Sequence, residues 1–243
     1  MNHLEDFPTT APNGIEKKFA ENETLRYKKQ LFNLQNILFA EQKHSVLIIL
    51  QGMDAAGKDG TIRHVFSSMN PMGVNIKAFK IPSSEEKTHD FLWRIHPHAP
   101  ATGMIEIFNR SHYEDILVPS VHKTISRKGL DSRYDSINHF EQHLRASGTV
   151  ILKFFLHISE EEQVLRLKER LNIPHKKWKY DPADSTEFSH RQAYLKTYER
   201  IFERCGTKQP WFIVPADQKW YRNFFIARQV RNTLKALKMK YPS

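Results

Sequence analysis

Apolar positions along this chain change period repeatedly, and the changes mark out its elements. From Ile15 to Lys43 the rhythm is helical: Phe19, Leu25, Leu31, Leu34, Leu38 and Phe39 form a stripe among Lys and Glu. Val46–Leu50 is then a continuous apolar run, the pattern of a strand buried on both faces. Ile62, Val65, Phe66 and Met69 return to helical spacing. The turn Asn70-Pro71-Met72-Gly73 introduces a strand over 74–80, and Ser84 before Glu85 and Glu86 marks a helix start. Further strands are expected over 104–108, 149–156 and 211–214, with helices over 131–145, 160–171, 187–204 and 220–237. Such alternation predicts an α/β fold of about five parallel strands sandwiched by helices.

The join between the first strand and its helix carries the chemistry. Residues 46–61 read VLIILQGMDAAGKDGT, with four residues between Gly52 and Gly57-Lys58. A buried strand, a small-residue loop and a helix start make the phosphate cradle of a P-loop. Gly52, Met53, Ala55, Ala56, Gly57, Asp59, Gly60 and Thr61 supply its backbone and edges, and Lys58 would reach the transferring phosphoryl group. Asp54 lies inside the loop. A carboxylate there repels an anion unless a divalent cation lies between them, so Asp54 reads as a magnesium ligand or a base for the acceptor phosphate. Capping the helix, or pairing with a nearby Lys or Arg, is the structural alternative. Asp59 stands where Ser or Thr normally holds magnesium, but an acid is favoured in a first helical turn anyway.

The third strand ends IEIFNRSHYED. Asn109 takes a place often held by a metal-supporting acid, and Arg110 follows at the carboxyl edge of the sheet, where open α/β folds bind ligands. An arginine there can hold a phosphoryl group through two parallel bonds. Glu114 follows within the same motif, and Lys80 and Arg94 are candidate phosphate contacts; Glu106, mid-strand, is unassigned.

Composition narrows the partner. The 243 residues are 40% hydrophobic and 12% aromatic, enough for one substantial core. Residues 1–14 read as a flexible arm and 15–243 as one domain, with a lid over 171–189. One Cys excludes an internal disulfide and fits a reducing, cytoplasmic setting. Thirteen His show no zinc spacing, and no apolar run approaches the ~20 residues of a membrane span. The formal net charge of +10 calls for a polyanionic partner. A nucleic-acid binder and an ATP-dependent nucleoside or nucleotide kinase are the competing readings. Neither a recognition helix nor a second base pocket stands out to favour them.

Taken in order, GMDAAGKDGTIRHV, NPMGVNIKAFKIPSSEE, HDFLWR, IFNRSHYED, GTVILKFFLHIS, NIPHKKWKYDPAD and PWFIVPADQKW resemble the polyphosphate kinase 2 family from about residue 26 to the C-terminus. The Asn-Arg-Ser form resembles its class III branch. The resemblance implies a P-loop, thymidylate-kinase-like fold with a helical lid. It implies magnesium-dependent phosphoryl transfer, with manganese as a substitute, between inorganic polyphosphate and AMP, ADP and ATP; guanine nucleotides stay open. It also implies a homo-oligomer, dimer or tetramer, without nucleic acid or membrane. By position, Asp54 becomes the essential loop carboxylate and metal ligand. Lys58 becomes the loop lysine, Arg110 the arginine after the third strand, and Lys80 and Arg94 phosphate contacts. A flexible polyanion needs a basic track, for which Arg166, Lys168, Arg170, Lys176, Lys177 and Lys179 are the candidates.

Overall fold

The strands are β1 (Ser45–Gly52), β2 (Val74–Ala78), β3 (Ile105–Asn109), β4 (Thr149–His157) and β5 (Trp211–Pro215). Val46–Leu50 has no polar face to turn to water, and β1 accordingly takes the centre of the sheet, buried along its whole length. The order is β2-β3-β1-β4-β5, with all four pairings parallel. The computed structural model describes residues 3–179 and 183–242. Helix α1 (Lys17–Glu41) packs on the last helix, α8 (Lys219–Ala236). The helices α3 (Glu114–Val121), α4 (Arg127–Ala146) and α7 (Arg191–Cys205) gather together elsewhere on the sheet. The P-loop helix, α2 (Lys58–Thr61), continues as one π-helical turn, Ile62–Phe66. Val65, Phe66 and Met69 are buried, as their spacing predicts.

Four expectations change. The buried row of α1 is Ala20, Tyr27, Leu31 and Leu38, while Phe19 and Leu25 face outward. The helix start near residue 84 is real but stalls. Ser83 and Glu86 form a reciprocal cap, Ser83 N–H to Glu86 Oε2 at 2.8 Å and Glu86 N–H to Ser83 Oγ at 3.1 Å. Only Glu86–Thr88 is helical, because Asp90 Oδ1 accepts the Leu92 N–H and turns the chain. Arg94 therefore sits among turns rather than on a helix. Helix α3 was hidden by Pro119, which removes the bond to the Asp115 carbonyl; Arg133 donates to that carbonyl instead. The arm expected to be flexible is docked. Leu4 is buried, its N–H donates to Glu199 Oε1 at 2.7 Å, and the Thr9 carbonyl and Ala11 N–H pair with Asp217 and Gln218. Those anchors are backbone groups, which a polar composition does not reveal.

Lys153 interrupts the apolar run of β4 and is fully buried, its Nζ 2.8 Å from Glu141 Oε2. Glu106 lies one strand in from the edge, level with Asn75. Burial pushes its carboxyl up, against a hydrogen bond from Asn75 and the charge of Lys77.

Candidate active site

β1 and β3 end side by side at the carboxyl edge, so the loop after Gly52 and the turn after Asn109 meet. Gly52 (φ +149°) leaves no room for a side chain: a Cβ would come within 2.8 Å of the Leu156 carbonyl. Gly57 (φ +105°) opens the helix, and a Cβ there would collide with the Arg222 guanidinium. The loop is thus pinned from β4 on one side and α8 on the other.

Inside it, Arg110 donates from Nη2 to Asp54 Oδ1 at 2.6 Å, and its Nη1 is 3.4 Å from Glu114 Oε2. Gln51 Nε2 donates to Glu114 Oε1 at 3.1 Å. Lys58 folds back, its Nζ 2.7 Å from the Gly52 carbonyl and 3.2 Å from that of Met53. Burial pushes the Asp54 carboxyl up, but the charges of Arg110, Lys58 and Arg170 outweigh it and hold the group below its usual value. Burial, with help from the Arg110 charge, brings the Lys58 ammonium down to about 8. Glu114 first, then Asp54, keep the Arg110 guanidinium firmly charged. The cluster is an ionised carboxylate between cations at the head of a helix, arranged to receive an anion. Asn109 Nδ2 donates to Asp59 Oδ1 at 2.8 Å, tying the two strand-end loops together.

Two residues that the sequence did not single out belong here. Arg222 is 2% exposed, and its Nη1 donates to the Ala56 carbonyl at 3.3 Å. Burial, then the neighbouring Arg166, lowers its guanidinium to about 9. Tyr198 is buried, and burial, then the charge of Glu114, pushes its hydroxyl well above its ordinary value, with the Gly52 backbone opposing. Both come from helices far along the chain, and no local spacing announces such a contact.

Other candidates fall elsewhere. Arg166, expected on a basic track, is 6% exposed and engaged behind the loop. Its Nη1 donates to the Ala55 and Ala56 carbonyls (3.1 Å each), its Nη2 to those of Ala216 and Asp217 (2.8 and 2.7 Å), and its Nε to Glu162. It is a brace, because a guanidinium whose donors are spent on carbonyls has none left for a phosphate chain. Arg94 is likewise buried, donating to the Lys80 carbonyl (2.8 Å) and to Asp115 (3.0 Å). Lys80 itself is exposed. On helix α5 (Glu160–Asn172), Arg170 comes near enough to Asp54 to lower its carboxyl. Lys176 pairs with Glu169 at 2.6 Å, and Lys177 is exposed. Of the lid over 171–189, a 3-10 turn (Pro174–Lys179) and helix α6 (Ala183–Ser189) are seen, and Glu187 bonds to Tyr194 and His122. Residues 180–182 and the Lys179 side chain lie outside the described residues.

No group of three metal-binding side chains occurs among the described residues. Magnesium does not need one: it normally binds one or two carboxylates together with substrate phosphates and waters. The ionised, partly open Asp54 fits that donor set.

The model of the polyphosphate kinase 2 family matches residues 14–242. An AMP/ADP-polyphosphate phosphotransferase of Meiothermus ruber is 45% identical over 215 residues, covering 88% of this chain and 80% of the relative. An ADP-polyphosphate phosphotransferase of Rhodopseudomonas palustris is 41% identical over 253 residues, covering 98% and 88%. The crystal structure of polyphosphate kinase 2 from Arthrobacter aurescens TC1 superimposes with a TM-score of 0.96 at 39% identity, covering all of this chain and 88% of that one.

Proposed function

This chain belongs to the polyphosphate kinase 2 family, and on that premise we propose that it moves phosphoryl groups between inorganic polyphosphate and nucleotides, taking AMP to ADP and ADP to ATP. The observation that carries the reading is Asp54, an ionised carboxylate inside an anion cradle and in contact with Arg110. Lys58, now bonded to loop carbonyls, swings to the phosphate whose bond is made or broken. Arg110 keeps Glu114 as its anchor and turns its outer nitrogens to the transferring group, where charge develops. Asp54 would hold magnesium, or manganese in its place, whose chemistry there would be to neutralise phosphate charge during transfer. Arg170, Lys177, Lys176 and Lys179 are the cations proposed to guide the polyphosphate chain, and Lys80 completes the phosphate contacts. These are charge contacts rather than shape contacts, so the acceptor's last phosphate can sit at either of two depths. That is the physical case for a class III range covering AMP and ADP, and the reading extends to ATP as product.

A homo-oligomer is part of the proposal, supported by the outward Phe19, Leu25 and Phe32 of α1. So is a cytoplasmic location; no helix among the described residues is long and apolar enough to cross a membrane. The test uses purified protein, magnesium and long-chain polyphosphate, with AMP or ADP and no other donor. ADP first and ATP later, starting from AMP, is the expected course. Conversion of ADP alone would remove the class III range. Conversion of neither, with transfer from ATP to a nucleotide instead, would replace the reading with an ATP-dependent kinase.

A further inference from the structure

Arg110 has φ +62°, the left-handed region that a non-glycine residue keeps only when its surroundings hold it there. One part of the hold is its N–H, which donates to the Leu50 carbonyl of β1 at 3.1 Å. The other is the turn that follows, in which Ser111, His112 and Tyr113 have no solvent exposure. The polar ends of His112 and Tyr113 converge on a single carboxylate of α4, while Ser111 Oγ accepts the Tyr113 N–H at 3.2 Å. The Tyr113 hydroxyl donates to Glu141 Oε1 at 2.6 Å, and His112 Nε2 lies 3.3 Å from the same oxygen. Lys153 Nζ donates to Glu141 Oε2 at 2.8 Å, to the Tyr113 hydroxyl at 3.1 Å and to the Cys205 carbonyl at 2.6 Å. A buried ion pair does little for stability that apolar residues of the same volume could not do. What apolar residues could not do is accept the bonds from Tyr113 and His112.

We propose that Glu141, paired with Lys153, is a positioning residue for phosphoryl transfer: it fixes the Ser111–Tyr113 turn and thereby aims the Arg110 guanidinium at the reacting phosphate. The proposal rests on the role given to Arg110 above. It explains why a strand at the heart of an apolar sheet carries a lysine.

The test is steady-state kinetics with polyphosphate and ADP, beside thermal melts. Replacing the pair by Glu141→Leu with Lys153→Met removes both charges at similar volume. The expected result is a melting temperature below the wild type, because Tyr113 and His112 lose their buried acceptor. The kcat of the folded variant should be lower by about 10-fold or more and KM changed less than about threefold, as for a misaimed group rather than a lost binding contact. A wild-type kcat in the folded double variant overturns the proposal. Should the double variant not fold, Tyr113→Phe removes one bond only. A kcat lower by roughly 3- to 10-fold is then expected, and an unchanged kcat overturns the proposal. Finally, Glu141→Gln is combined with Arg110→Ala. Acting through Arg110, Glu141→Gln adds less than about twofold in that background; losses that multiply overturn the proposal. Arg110→Ala at the wild-type rate is a separate result, which removes the reading of Arg110 and the proposal together.

Discussion

Asp54 is set apart by where it lies rather than by what it is. An Asp54→Asn variant keeps the side chain's size and gives up its charge, so it is expected to fold normally. Its kcat should fall by at least ~100-fold with polyphosphate and ADP, the scale expected when a metal-holding or proton-accepting group is lost. Near wild-type turnover in the folded variant would sink the assignment. Lys58 makes a prediction in pH. Its ammonium titrates at about 8 in the free protein, so kcat/KM for polyphosphate should fall as pH rises through that value. Lys58→Arg should remove that limb from whatever activity survives. The stability effect has the opposite sense. An unfolded lysine keeps its proton to about 10.4, the folded one only to about 8. Between the two the unfolded state binds more protons, so stability contributed by this group rises with pH and is least below 8. Melts recorded from pH 7 to 10 on wild type and Lys58→Met would show whether the slope belongs to Lys58. At this scale Asp54, Lys58 and Arg110 were legible because anion cradles demand particular residue types at fixed spacing. Arg222 was not, because only the fold brings a residue of α8 to the Ala56 carbonyl.

Elements were legible where period or caps spoke plainly and illegible where two signals opposed each other. β1 and β4 declared themselves by continuous apolar runs. Helix α3 was masked by Pro119, whose cost Arg133 offsets from another helix. The cap at Ser83 was followed by a stretch that turns away instead of propagating. Arg166 is the element-scale test of the brace between α5, the P-loop and the loop after β5. Arg166→Ala strands the Ala55, Ala216 and Asp217 carbonyls and leaves Ala56 only its bond from Arg222, so a loss of about 3–5 kcal/mol is expected. For a chain of this size that is a fall of roughly 6–20 °C in melting temperature. An unchanged melt would return Arg166 to the polyphosphate track. The lid carries the converse prediction. Removing Lys176, Lys177 and Lys179 together should raise KM for polyphosphate more than KM for ADP and leave the melt nearly unchanged. Equal shifts in both constants would exclude this segment as a donor track.

For the whole molecule, the net charge of +10 makes the binding of a polyanion an ionic-strength measurement. Screening is strong beyond ~8–10 Å at physiological salt. KM for polyphosphate should therefore climb steeply between low and moderate salt, while KM for the smaller ADP climbs less. Parallel curves would mean that the charge is merely solvated. The basic surplus could be counted in the sequence, but its placement could not. Arg166, Arg94, Arg191 and Arg222 are all buried and donate to backbone carbonyls, Arg191 to that of Ile158, so fewer cations face a substrate than composition suggests.

The place of β1 in the sheet also bears on how the chain is made. β1 ends at Gly52, yet both strands that flank it, β3 and β4, lie far downstream. At ~5–20 residues per second of synthesis, the roughly one hundred residues between Gly52 and the end of β4 take about 5–20 s to emerge. For about the first half of that interval, until β3 is made, Val46–Leu50 is a newly made strand with neither neighbour, and for the rest it lacks β4. Uncharged and without proline, it has the composition that self-associates. Slower growth at low temperature, or surplus nascent-chain chaperone, should therefore raise the soluble yield of this protein.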